Sequence, residues 1–252
     1  MDYRLILVEG LPGTGKTTLS GQIFKRLIGQ GIQAELLLEG NEKIPSNFFD
    51  IAGIPKNDFM GYSNCISIVT KTENYVFVKM GDCDEETASQ LRRYDVGDEF
   101  NPFMSAQEYA RCTLEWWQNW VGNSETESVL ILDSAFMQCP INEMIFRKAT
   151  DSQVKTYIRT IAEIIKPLYP LCIYLRRENA IKAIDFAKKV KGERWAKGLE
   201  GLADMGCSGL FERRFDLEYM LLSSVASIIC AINGYDWSDA ETKIQNLFNC
   251  LC

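Results

Sequence analysis

Residues Gly10 to Thr17 read GLPGTGKT, which places two glycines, a lysine and a threonine at the spacing G-x-x-x-x-G-K-[ST]. Residues of these types at this spacing hold a run of phosphates. Gly10, Gly13 and Gly15 let the backbone turn tightly, so that successive N–H groups and a helix N-terminus aim at one cluster of anionic oxygens. Leu11, Pro12 and Thr14 complete the turn, and Thr18 continues the first helical turn. Lys16 would reach the β- and γ-phosphates of a nucleoside triphosphate, and Thr17 would offer its hydroxyl to the magnesium ion that bridges them. Chance alone produces this pattern in roughly 1% of chains of this length, so context has to decide. The context agrees: the apolar run Leu5 to Val8 precedes the loop, and the helix-like segment Thr18 to Leu27 follows it.

A second group of residues could act on a bound triphosphate. Asp133 closes the apolar run VLIL about 115 residues after the loop, where a carboxylate holds magnesium, usually through water. Thr17 and Asp133 are therefore the expected metal residues. Glu39, after the run AELLL, is the candidate general base or ligand for an acceptor hydroxyl. Glu9 reads instead as a partner of nearby backbone or of water. Phosphoryl transfer also needs positive charge on the moving group. The basic residues Arg176, Arg177, Lys188, Lys189, Lys191, Arg194, Arg213 and Arg214 are available for this, and Arg194 is the preferred one. The expected catalytic set is Lys16, Glu39, Asp133 and Arg194. The chain contains no histidine, which removes His-based acid–base catalysis, Ser-His-Asp triads and nearly all zinc hydrolase patterns.

These groups must be positioned by alternating strands and helices. Leu5–Val8, Ala34–Leu38, Val129–Leu132, Cys172–Leu175 and Ser227–Ile232 read as five buried strands. Thr17–Gly29, Ser105–Val121, Ser152–Ile165, Asn179–Val190, Leu210–Ser224 and Ser238–Leu251 read as helices between and after them, with Ser105 and Glu108 forming a capping box. That order predicts an α/β fold of three layers around a five-stranded parallel sheet, with ligands at the carboxyl ends of the strands. Cys65–Thr70 and Tyr75–Met80 predict a β-hairpin turning at Glu73-Asn74, inside an insertion covering about residues 42 to 100. The basic stretch from about 178 to 214 predicts a helical lid. In the helix Ser105–Val121, Trp116 and Trp120 are expected to face the core, while Tyr109 and Arg111 are better placed to meet a substrate.

The composition, 46% hydrophobic and 24% charged over 252 residues, fits a single globular domain spanning 1–252. A net charge of −7 argues against broad binding to nucleic acid or to an anionic membrane. The start MDYRLILVEG predicts no secretory leader, and Tyr219–Ile232 is too short to span a bilayer. Nine scattered cysteines, without a C-x-x-C pair, predict no disulfide framework and a cytoplasmic location. The sequence also leaves room for a homodimer.

The segment VEGLPGTGKTT (Val8 to Thr18) resembles the first-strand signature of P-loop nucleoside and nucleotide kinases, including thymidylate kinases and deoxynucleoside kinases. The chain is also similar to bacterial thymidylate-kinase-like ATP-binding proteins in Phe136-Met137-Gln138-Cys139-Pro140, in Glu193-Arg194-Trp195 and in Glu212 to Arg214. It departs from thymidylate and deoxynucleoside kinases after Asp133, where Ser134 and Ala135 replace an arginine-bearing motif. It departs again at Leu38-Glu39-Gly40-Asn41, where thymidylate kinases have Arg-Glu-Pro. The resemblance implies an ATP- and magnesium-dependent phosphotransferase that takes a nucleoside triphosphate and a small-molecule acceptor. The alternative is a switch that hydrolyses or senses the triphosphate without an acceptor, with Gln138 orienting water. A scaffold that only binds nucleotide is a third reading, and the intact Lys16-Thr17 pair speaks against it.

Overall fold

A computed structural model describes residues 3–59, 62, 67–124, 127–202 and 209–249. In chain order the strands are β1 (Leu5–Gly10), β2 (Ala34–Leu37), β3 (Ile51–Pro55), β4 (Ile68–Lys71), β5 (Tyr75–Lys79), β6 (Val129–Asp133), β7 (Pro170–Arg176) and β8 (Ala226–Ala231). The helices are α1 (Lys16–Gly29), α2 (Lys56–Phe59), α3 (Glu85–Leu91), α4 (Ala106–Asn123), α5 (Gln138–Phe146), α6 (Asp151–Ile165), α7 (Ala180–Lys191), α8 (Glu193–Leu202), α9 (Leu210–Leu221) and α10 (Ser238–Asn249).

β1 is apolar along its first four residues because it is covered on both faces. Leu5 and Leu7 belong to one buried cluster and Ile6 and Val8 to the other. The first cluster packs beneath α4, α5, α6 and α9, the second beneath α1 and α10. Continuous apolar runs of this kind are the mark of a parallel sheet covered on both sides. The sheet order is β2-β6-β1-β7-β8, with all pairs parallel. β1 therefore lies at the centre, with β6 and β7 on either side, and the carboxyl ends of the three strands gather Gly10, Asp133 and Arg176 at one edge. That edge is the topological switch point, where open α/β sheets bind ligands.

The five core strands and the six expected helices agree with the structure to within one to three residues, while α5, directly after β6, and α8 were not expected. The insertion differs. Its hairpin exists, but β5 lies between β4 and a third antiparallel strand, β3, that was not expected. β3 ends at Pro55, at a strand boundary where the missing N–H costs no ladder bond. This small sheet sends Tyr75 and Phe77 to the main core, and Ala52, Ile54, Val76 and Val78 to a separate cluster with Met80 and Leu91.

Other expectations needed correction. On α4 Trp116 and Trp120 pack partly buried against the core as expected, but the wholly buried tryptophan is Trp117. Tyr109 faces no substrate: it is wholly buried, with the Arg147 guanidinium 4.3 Å above its ring. Ser105 does accept from the Glu108 N–H, but the Glu108 carboxylate takes the Tyr75 hydroxyl at 2.8 Å. The reciprocal capping box occurs at Thr150 and Gln153, at the start of α6, where such a cap is worth about 1 kcal/mol. Cys112, Cys139, Cys172 and Cys230 are free, but Cys83 is disulfide-bonded, which the scattered spacing did not foretell. Spacing along the chain says little about which thiols an irregular insertion brings together. Among the described residues no helix is long and apolar enough to cross a membrane.

Candidate functional site

The loop from Gly10 to Gly15 leads from the end of β1 into α1, whose N-cap is Gly15 with no side-chain cap. The first N–H groups of α1 therefore keep their bonding capacity, and its first turn carries no acid. Such a helix start favours an anion. Three glycines here have no substitute, Gly10 among them, with φ 139° and a Cβ that would lie 2.4 Å from the Leu175 carbonyl oxygen. Gly15 has φ 94°, and a Cβ on it would lie 2.1 Å from the Trp237 ring. Gly13 has φ 76°, and a Cβ there would meet the Ala187 backbone of α7 at 2.7 Å.

Lys16 is buried and donates to the Leu11 carbonyl at 3.2 Å, while Thr14 Oγ1 donates to the same oxygen at 2.8 Å. Burial, and then the nearby Arg214 charge, hold the Lys16 ammonium below its ordinary pKa against the opposing pull of Asp133, Glu39 and Glu9. Thr17 Oγ1 donates to Asp133 Oδ2 at 2.6 Å, joining residues 116 apart in sequence. Ser134 donates to the other oxygen, Oδ1, at 2.8 Å and adopts φ 67°. A serine in this left-handed conformation costs on the order of 1 kcal/mol, and the bend turns the chain from β6 toward Phe136.

Magnesium suits this pair. It binds through one or two protein oxygens and otherwise takes waters and phosphate oxygens. A hydroxyl and a carboxylate already in contact beside a phosphate loop are a donor set of that kind. Among the described residues no group of three or more His, Cys, Asp or Glu forms a protein cage for a metal.

Glu9 is wholly buried behind the loop. Its Oε1 accepts from the Phe136 N–H at 2.7 Å and its Oε2 from the Gln138 N–H at 3.1 Å. The expected backbone partnership thus exists, but with backbone from beyond β6 on the neighbouring strand. Burial, reinforced by Glu218, pushes the Glu9 carboxyl up to about 7 despite these bonds.

Glu39 lies exposed two residues past β2 and accepts from Gln138 Nε2 at 2.9 Å. The Gln138 carbonyl accepts from Arg214 at 3.3 Å, and Arg214 also donates to the Gly10 carbonyl and to Asn142, each at 3.2 Å. Arg214 pairs with Glu218 at 2.6 Å, both wholly buried, and Glu218 accepts from the Tyr174 hydroxyl at 2.8 Å. This network carries Glu39 back to the phosphate loop. Arg213 points elsewhere, to Asp151 and the Ala149 carbonyl.

Two cavities lie near the loop, one lined by Asp133 and the other by Arg177. One, of about 450 Å3, is lined by Arg177, Lys182, Lys189, Phe186 and Gly234, among others. Arg177 donates to the carbonyls of Gly13 at 3.2 Å and Gly234 at 3.1 Å, with its guanidinium 3.7 Å from the Phe186 ring centre. The other, of about 280 Å3, is lined by Glu39, Asp133 and Glu143 and by residues from 44 to 49. Glu143 lies against Arg147, which also donates to the carbonyls of Val96 and Asp98. Burial pushes the Glu143 carboxyl up to about 7 even so.

The structure thus brings together the loop, Lys16, Thr17, Asp133 and Glu39. It leaves Arg194 exposed on α8 and seats Arg177 and Arg214 against the loop carbonyls. The signal for Arg214 was present in the sequence: Leu210, Arg214, Leu217, Glu218 and Leu221 share one helical face, so an Arg–Glu pair four apart sits in an otherwise apolar stripe. The cavity residues Ser46, Asn47 and Glu143 had no comparable signal.

Fold and site define an α/β protein with a phosphate-binding loop at the switch point of a 2-3-1-4-5 parallel core. No protein-family model matches the chain, and no curated protein matches it. Among solved structures it is similar to a deoxyadenosine kinase from M. mycoides, determined with the products dCMP and a flexible dCDP bound. That similarity is 15% identity over 98% of this chain and 97% of that one, with a TM-score of 0.39. At this degree of overlap the likeness adds nothing to what loop and sheet order already establish.

Proposed function

We propose that the protein is a magnesium-dependent phosphotransferase, a small-molecule kinase of nucleoside or nucleotide kinase type that moves the γ-phosphoryl group of ATP to a hydroxyl acceptor. The observation that carries this reading is a pair of separate cavities, of which one is lined by Asp133 and the other by Arg177, a donor to the Gly13 carbonyl. The basic one adjoins Gly13 and suits the donor nucleotide, and the acidic one contains both Asp133 and Glu39. A protein that only hydrolyses the triphosphate has no need of the second.

In this reading the loop N–H groups and Lys16 hold the β- and γ-phosphates, while Thr17 and Asp133 anchor the metal. Magnesium, when bound, neutralises charge on the phosphate oxygens. The acceptor hydroxyl forms a bond to the γ-phosphorus, the bond from that phosphorus to the bridging oxygen breaks, and ADP leaves. The acceptor proton passes to the Glu39 carboxylate, which Gln138 holds in place through its amide. Arg194 is the proposed lid cation, and this role requires α8 to close over the phosphates. The hydrolytic alternative relied on Gln138 to orient water. That residue is 6% exposed, and its amide bonds to both Glu39 and Arg214, which favours transfer.

The test is ADP release from magnesium-ATP in the presence of a panel of nucleosides, nucleotides and sugars. Release that depends on one acceptor class supports the reading. Release at one rate whatever is added replaces transfer with hydrolysis.

A further inference from the structure

Phosphate-bearing acceptors differ from plain alcohols by about two negative charges at neutral pH, and a pocket built for them needs cations. The acceptor cavity contains none among the described residues. Its ionisable lining includes the carboxylates of Glu39, Asp133 and Glu143. Arg147 stands nearest in sequence to Glu143, but its side chain is 2% exposed and its donors go to Glu143 and to the carbonyls of Val96 and Asp98. Its Nε has no partner, but it is buried and Arg147 does not line the cavity. Two cavities adjoin it: one, sharing Phe49 and Gly97, is lined by Arg92 and by Asp50, Asp95 and Asp98, and one, sharing Gly40, Asn47 and Phe49, by Glu42 and by Lys43 and Lys79, which pair with Glu35 and Glu42.

Neutral polar groups, by contrast, find partners. Ser46 lines the cavity, is 9% exposed and carries a hydroxyl with no hydrogen-bond partner. A buried polar atom without a partner is costly, and a ligand hydroxyl or amide would satisfy it. The Asn47 amide is already committed to the carbonyls of Gly40 and Asn41. Glu39 offers its second oxygen to a hydroxyl proton. Phe48 and Phe49 add apolar surface beside these groups.

We propose that the acceptor is an uncharged, unphosphorylated hydroxyl compound, held by the Ser46 hydroxyl and the Glu39 carboxylate, and that the acidic lining rejects the monophosphate of the same compound. This rests on the phosphotransferase reading above and narrows it. The discrimination comes from repulsion built into the pocket, which is an effective way to separate two ligands that share most of their contacts.

The experiment compares matched pairs in one ADP-release assay: adenosine with AMP, thymidine with dTMP, deoxycytidine with dCMP, and glucose with glucose 6-phosphate. ATP binding is recorded separately by titration with a fluorescent ATP analogue. For any pair that is turned over, the unphosphorylated member should be preferred by at least ~100-fold in kcat/KM, since like charges facing across a desolvated contact cost several kcal/mol. A monophosphate used as well as or better than its parent overturns the inference and leaves phosphotransfer standing. Bound ATP analogue, with ADP released at one rate whichever compound is added, overturns the phosphotransferase reading and the inference with it. Ser46→Ala should raise KM for the preferred acceptor several-fold with kcat and ATP binding unchanged, and an unaltered acceptor KM removes Ser46 from the site.

Discussion

The two cavities near the phosphate loop share no lining residue and differ in charge. The donor side is lined by Arg177, Lys182 and Lys189 together with Glu178 and Asp185, while the acceptor side has Glu39, Asp133 and Glu143 and no cation among its described lining. The sides also differ in how they are held. Arg177 is anchored to loop carbonyls and stacked on Phe186, so the donor wall is part of the phosphate loop's own scaffold. Glu39 is exposed and tethered by one bond to Gln138. Binding a triphosphate needs fixed positive charge, whereas taking a proton from an acceptor needs a carboxylate open to it. The difference in placement is what the proposed reading requires for those two tasks.

Replacing Lys16 should separate the sides most sharply. Lys16→Ala removes the one charge built into the loop, and acceptor-dependent ADP release should fall about 10³-fold, with ATP-analogue binding lost as well. The change leaves the acceptor cavity intact, since Lys16 is not among its lining residues. Wild-type binding and turnover in this variant would show that the loop does not hold the phosphates.

The acceptor side should fail differently. Glu39→Gln keeps the shape but removes the base, so transfer should slow by roughly 10²- to 10⁴-fold while ATP binding stays at the wild-type level. Single-turnover measurement of transfer, paired with an ATP-analogue titration, reads both quantities. Loss of both together would erase the division between the sides, and an unchanged rate would strip Glu39 of its role.

That division was half legible in the sequence. The donor side announces itself because phosphate binding is local: the loop, its glycines and Lys16 lie within eight consecutive residues, and the apolar run before them forces a buried strand. Asp133 was legible for the same reason, since VLIL fixes a buried strand and the residue after it must emerge at the carboxyl edge. Glu39 followed from the same rule at β2. The acceptor side gathers residues from the insertion, from β6 and from α5, and no short motif ties Ser46 to Glu143. Arg194 was preferred because it lies in a basic stretch, and composition cannot tell a solvated arginine from one buried on a helix stripe. β3 was missed because only five residues, bounded by an aspartate and two prolines, carry its pattern.

The smallest effect concerns the layer between the two sides, where Glu9 is buried under the loop. Its carboxyl is pushed up from 4.5 to about 7, chiefly by burial and then by Glu218. Over that interval the folded protein keeps a proton that the unfolded chain has released. Stability should therefore be fully expressed below the unfolded value and fall as pH rises through about 4.5 to 7, by on the order of a few kcal/mol. Glu143, also pushed up to about 7, contributes in the same direction. Thermal unfolding midpoints of the protein without nucleotide, taken between pH 5 and pH 7.5, should thus decline, and Glu9→Gln should flatten the decline while lowering the midpoint at every pH. The lower midpoint follows because an amide cannot accept both the Phe136 and the Gln138 N–H groups. A decline of the same slope in Glu9→Gln would move the titration to Glu143 and place it in the acceptor cavity. Anionic phosphates on the other face of the loop should make the proton on Glu9 harder to lose. A saturating ATP analogue should then shift the pH range of the decline upward in the wild type and leave Glu9→Gln unmoved.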